Sequence, residues 1–140
     1  MKGAWTVMGL CCLLGGCGCP TGTPIELHDV EDRVSMSVCV ERLTTEAQLM
    51  RGLRGRAELA VGHGVVLEFP VESEICIFND GVRWDIDAVY VGEDNGVTAI
   101  ELGIPAGEVG PRCHDGVLRV IEVHAGEADA VSVGDRLLMQ

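Results

Sequence analysis

Apolar and polar residues alternate early in the chain, with Val34, Met36, Val38 and Val40 set against Ser35, Ser37, Cys39 and Glu41. A period of two marks a half-buried strand. Thr45 then stands three residues before Gln48. That is the spacing of a capping box, so a short helix is expected from there, stopped by Gly52 and turning Ala47, Met50 and Leu53 to the core. From Gly64 the period returns to β. Residues 65–69 predict a strand ending at Pro70, 75–78 a second, and 86–91 a third in which Asp87 is the one polar interruption. Glu93-Asp94-Asn95-Gly96 predicts a hairpin, because Asn-Gly accepts the positive φ such turns need. Val91 and Val97 then fall on neighbouring strands, with 97–102 as the partner. Residues 103–116, carrying Pro105, Gly107, Gly110 and Pro111, read as a long loop. Residues 117–123 form a further strand, and 131–138 close the domain around Gly134-Asp135. The expectation is a mainly β, antiparallel, compact single domain, barrel-like or of coiled sheets, with one short helix.

The first residues follow a different pattern. Lys2 precedes an apolar run over 4–14, which Gly15, Gly16, Gly18 and Pro20 then break. A membrane-spanning helix needs about 20 apolar residues, so this run predicts a signal peptide instead. Leu14-Gly15-Gly16-Cys17 resembles the lipobox of bacterial lipoproteins, in which the cysteine takes a diacylglyceryl group. The expected organisation is a signal peptide over 1–16, a tether over 17–33 rich in Pro, Gly and mixed charge, and a β-rich domain over 34–140. The expected location is exported and lipid-anchored through Cys17 to a bacterial membrane, either the outer membrane facing the periplasm or the cell surface.

Charge and cysteine content narrow the chemistry. Ten basic residues stand against 22 acidic ones, for a net charge of −12. This acidic excess repels phosphate backbones and argues against nucleic-acid binding. Of seven cysteines, Cys11 and Cys12 leave with the signal and Cys17 is the lipid site. Cys19, Cys39, Cys76 and Cys113 remain in a compartment that permits disulfides. Three complete pairings stay open. Cys76 with Cys113 is favoured, because the loop bearing Cys113 is long enough to reach the strand bearing Cys76. No Cys-x-x-Cys occurs, and His28, His63, His114 and His124 lack metal-ligand spacing, so no metal or cofactor is expected.

Several segments taken together resemble a known family. They are Arg51-Gly52-Leu53, Gly64 to Phe69, Asn79, Asp85-Ile86 and Asn95-Gly96-Val97. The tail adds Val120-Ile121-Glu122-Val123-His124-Ala125-Gly126 and then Val133-Gly134-Asp135-Arg136-Leu137. In order and spacing they are similar to domain-of-unknown-function family 192, over about residues 34–139. The resemblance implies a compact β-rich domain and brings no activity with it. Family members usually carry Trp-Met-x-Asn-Thr where this chain has Cys76-Ile77-Phe78-Asn79-Asp80. They carry Pro-Leu-Asp where it has Arg83-Trp84-Asp85, so only Asn79 and Asp85 are kept.

Candidate sites follow from these residues. Asn79, Trp84 and Asp85 crowd one turn between apolar strands and are the candidate binding edge, although Asn79 would equally cap the turn through its own backbone. Asp85 and Asp87 share a strand face, and paired carboxylates can perform acid–base work or hold a hard cation. The favoured reading is a lipid-anchored envelope protein that binds a small molecule, a glycan or another envelope protein without catalysis. The alternatives are an envelope hydrolase or metal-dependent enzyme using Asp85 and Asp87, and a structural accessory of a secreted complex.

Overall fold

The computed structural model describes residues 19–140; the expected signal peptide and Cys17 lie outside them. The described residues form seven strands, β1 (Thr23–His28), β2 (Val34–Leu43), β3 (His63–Ile77), β4 (Ile86–Val91), β5 (Val97–Ile104), β6 (Arg112–His124) and β7 (Arg136–Met139), and one short helix, α1 (Glu46–Arg51). They form a single curled sheet, a half-barrel, in the order β5-β4-β6-β3-β2-β1-β7. At one end the sheet's two edges meet through a bridge between Gly96 and Arg136. All neighbouring strands run antiparallel except β2 and β3. Those two are parallel because α1 lies in the connection between them, and a parallel pair needs such a crossover.

The half-barrel has apolar side chains on both faces. Ile25, Leu27, Val38, Val66, Val89, Ile121 and Leu137 pack together inside the curl. Val65, Leu67, Ile86, Ala88, Tyr90, Val117 and Val120 face the other way and are covered by Leu53, Val82 and Trp84 from the connecting segments. Every residue of β4 is therefore buried. Fully burying one such side chain contributes roughly 1.5–3 kcal/mol.

Several sequence expectations hold, and others need correction. Thr45 caps α1 in a complete capping box with Gln48, and Gly52 ends the helix. Val91 pairs with Val97 across the hairpin, whose Asn95 takes φ 68°. The helix does not turn Ala47 and Met50 inward, since both are exposed. Leu49 packs instead, one turn before the buried Leu53. The two strands expected on either side of Pro70 are one 15-residue strand, β3. Its pairing with β6 slips between Glu68 and Ser73, so Pro70 sits where no ladder donor is required. The supposed loop 103–116 is much shorter, as β5 runs to Ile104 and β6 starts at Arg112. The tether expected over 17–33 contains β1, whose Ile25 and Leu27 are fully buried beside β2 and β7.

Candidate functional site

The sequence-predicted site residues come first. Asn79 is fully buried, and its Nδ2 donates to the carbonyls of Trp84 (3.1 Å), Ile104 (3.3 Å) and Pro105 (2.9 Å). The side chain thus staples the turn 78–85 to the end of β5. Its Oδ1 and the Trp84 Nε1 are buried without partners among the described residues. Trp84 itself packs into the outer core. Asp85 is exposed and accepts from the Ala106 amide at 2.8 Å. Asp87, two residues on, is buried. Its Oδ1 accepts from Gly103 (2.8 Å), and its Oδ2 from Gly126 (2.9 Å) and Ala128 (3.0 Å). Each carboxylate holds backbone together, and neither lines the groove described next. Cys76 and Cys113, directly paired between β3 and β6, are joined by a disulfide; Cys19 and Cys39 form a second.

The concave surface lies elsewhere. An open groove of about 950 Å³ runs between α1 and β3, with Leu49, Met50, Phe69, Pro70, Cys76 and Phe78 supplying apolar walls. Thr44, Glu46, Arg54 and Glu68 add polar groups. Met50 and Phe78 are 72 % and 45 % exposed, so the walls are open to a ligand. Glu68 is clamped by Arg42 through two bonds of 2.9 and 2.8 Å and by Arg119 at 3.1 Å. Burial pushes its carboxyl up, but those two guanidiniums outweigh burial and hold it below the usual carboxylate range.

Beneath the groove is a smaller chamber of about 90 Å³ that shares Leu49, Met50, Phe69, Cys76 and Phe78 with it. Leu53, Leu67 and Ile77 line its sides together with Arg51, Gly52 and Arg54, and Glu122 borders it from β6. Glu122 is 3 % exposed. It pairs in the sheet with Val65 on one side and Ala88 on the other, two apolar neighbours that satisfy nothing. The backbones are close here: a Cβ on Gly64 would stand 2.6 Å from the Glu122 carbonyl oxygen. The carboxyl reaches toward the end of α1, its Oε1 lying 3.9 Å from where a Cβ on Gly52 would be. It makes no hydrogen bond among the described residues, and burial pushes it up to about 7 against a lowering pull from Arg56. Each nearby arginine gives one or two of its five donors to other groups. Arg51 donates to the Arg54 carbonyl, Arg54 to those of Asp80 and Met50, and Arg56 to Gly52 and Glu41. The sequence signal for this site was a carboxylate inside the apolar run of β6.

With the geometry in place, the comparisons carry more. The model of domain-of-unknown-function family 192, described as an uncharacterised ACR, matches residues 28–139. The chain belongs to this family. Comparison with curated proteins returns no match. Two crystal structures share the DUF192 half-barrel. One is a candidate transcription regulator of Sinorhizobium meliloti 1021, with a TM-score of 0.79 and 22 % identity over 84 % of this chain and 92 % of that one. The other is a protein of unknown function from Novosphingobium aromaticivorans, with a TM-score of 0.76 and 20 % identity over 87 % and 91 %. At such identity the likeness concerns the fold. Cys76 is half of a disulfide at the groove wall. In the family-like tail, Gly126 donates to Asp87, and Asp135 Oδ2 accepts from Ser35 Oγ at 2.7 Å and from the Ser132 amide at 3.0 Å. Of the two buried polar residues of that tail, Asp135 is hydrogen-bonded in this way and Glu122 has no side-chain hydrogen bond among the described residues.

Proposed function

We propose that this DUF192 protein is a non-catalytic binding module of the bacterial envelope, anchored by lipid on Cys17, and that the groove between α1 and β3 takes a small, largely apolar molecule. The observation that carries the binding reading is the groove itself. Its volume falls in the range of small-molecule sites, and it combines apolar walls with a few placed polar groups. Asp85 and Asp87 are engaged by backbone amides and do not line the groove, which favours the binding reading over the hydrolase alternative. The lipobox-like Leu14 to Cys17 supports the anchor.

Two experiments test this reading. Nile red, a neutral apolar dye, is titrated against the full chain and against the double variant Met50→Asp/Phe78→Asp, whose altered side chains are exposed. Binding is expected in the first and loss of at least tenfold in the second at unchanged melting temperature. Equal binding by both overturns the groove assignment. For the anchor, Cys17→Ser is expected to leave the membrane fraction, and retention there with unchanged processing overturns it.

A further inference from the structure

We propose that the outer face around the Cys19–Cys39 disulfide is a membrane-contact surface, pinned by that disulfide to the headgroup layer of a zwitterionic phospholipid bilayer with the turn Ala60–His63 leading. The inference rests on the lipid-anchor reading and adds which face of the domain lies against the membrane.

The length of chain between the anchor and the first fixed point decides how far the domain can stand from the bilayer. Cys17 precedes Cys19 by two residues, and two residues span at most about 7 Å. The disulfide then ties Cys19 to β2, with the α-carbons of Cys19 and Cys39 only 5.5 Å apart. The headgroup layer on each side of a bilayer's hydrocarbon core is itself about 5–8 Å thick. A lipid on Cys17 therefore draws Cys39 down onto that layer. The domain has no length of chain on which to stand clear.

The surroundings of Cys39 suit that position. Cys39 lies on the outer face of β2 and pairs with the exposed Pro24 of β1. On its other side β3 begins, where Cys39 pairs with His63 and its amide donates to the Gly62 carbonyl at 2.9 Å. The His63 amide donates to the Ala60 carbonyl at 3.1 Å, which closes a turn with Gly62 at φ 82°. Turn tips favour Gly, Asn, Asp and Ser. Here the exposed Ala60 precedes Val61, which stands 85 % exposed. The charged groups beside the turn are engaged within the protein, Glu41 with Arg56, Glu58 with His124, and Glu127 with the Gly62 amide. A net charge of −12 sets the chain against anionic lipid, so the matching surface is zwitterionic. Val30 supplies the comparison. It is 89 % exposed and lies beyond Val34, five residues of β2 or about 17 Å from Cys39.

The test places the lipid-bearing protein, purified from membranes, in phosphatidylcholine vesicles whose acyl chains carry bromine, a contact quencher of tryptophan. Val61→Trp is expected to lose at least half of its added emission, while Val30→Trp and the unaltered protein, with Trp84 buried, lose little. Adding Cys19→Ser/Cys39→Ser to Val61→Trp is expected to cut the quenching at least twofold at unchanged circular dichroism. Equal quenching of Val61→Trp and Val30→Trp, none in Val61→Trp, or undiminished quenching without the disulfide overturns the membrane face. So does a blue-shifted emission of Val61→Trp in lipid-free Cys17→Ser protein, which assigns the patch to a second copy. If those results come from protein that floats with the vesicles, the anchor reading survives alone. If the protein does not float with them, both fall.

Discussion

The Asn79 carboxamide donates to the Pro105 carbonyl at 2.9 Å, tying the turn after β3 to the residue that follows β5. Two further bonds from the same nitrogen, to Trp84 and Ile104, make one side chain the fastener for two chain reversals. Asn79→Ala removes all of them and strands buried carbonyls. Each such orphan costs about 1–3 kcal/mol, so a loss of about 3 kcal/mol is expected in chemical denaturation, with Nile red binding per folded molecule unchanged. A loss below about 0.5 kcal/mol contradicts the stapling role.

Asp87 and Asp85 are expected to behave differently, since Asp85 stands exposed before β4 rather than on a strand face shared with the buried Asp87. Asp87→Ala deprives three backbone amides of their acceptor and is expected to cost at least about 3 kcal/mol. Asp85→Ala, at an exposed position with one bond, is expected to cost about 1 kcal/mol or less. Urea midpoints of the two variants decide the matter.

Glu122 gives the protein an unusual stability profile. Its folded value of about 7 lies above the ordinary 4.5, so the folded state holds this proton more tightly than the unfolded chain does. Stability from this group is therefore full below about pH 4.5 and declines as pH rises through 7. The total loss is about 3 kcal/mol, the free-energy equivalent of carrying the carboxyl from 4.5 to about 7. Glu122→Gln is expected to match the unaltered protein near pH 4.5 and to exceed it by about that amount at pH 8.5. Parallel curves for the two proteins across this range contradict the assignment.

The Cys76–Cys113 disulfide closes a segment of 37 residues. Loop-entropy reasoning gives such a closure a contribution of about 3–4 kcal/mol. Cys76→Ser/Cys113→Ser is expected to lose about that much. Alkylation of the unaltered folded protein without reductant is expected to leave Cys19, Cys39, Cys76 and Cys113 unmodified by mass.

How far the sequence could be read depends on which signals competed. The capping box and the Asn95 turn are local chemistry and could be read from a few residues. In β1, Ile25 and Leu27 alternate with Glu26 and His28, but Pro20, Gly22 and Pro24 masked the strand as a tether. Pro70 looked like a terminator because a strand's need for donors is visible in sequence while a slipped register is not. The buried face of α1 is not legible because the helix is too short for its period to declare itself, and Leu49 and Leu53 take the core positions that Ala47 and Met50 do not. Asn79 and Asp85 stand out as polar residues in a turn, yet, Trp84 apart, their partners lie 21 to 26 residues away, where no local pattern points. Glu122 was visible throughout as a charge among valines and an isoleucine. Only burial sets its carboxyl apart.

The pairing of β1 with β7 has a consequence for the order of events in folding. Leu27 lies opposite Leu137, so the earliest strand of the domain waits for the last. A chain that emerges amino end first has to keep β1 open-edged until residues 136–139 become available. Such an edge invites strand addition from another molecule, and closing so wide a span is slow because its entropic cost precedes its contacts. For this protein, the interval between the appearance of Leu27 and that of Leu137 is the period of greatest exposure to misassembly.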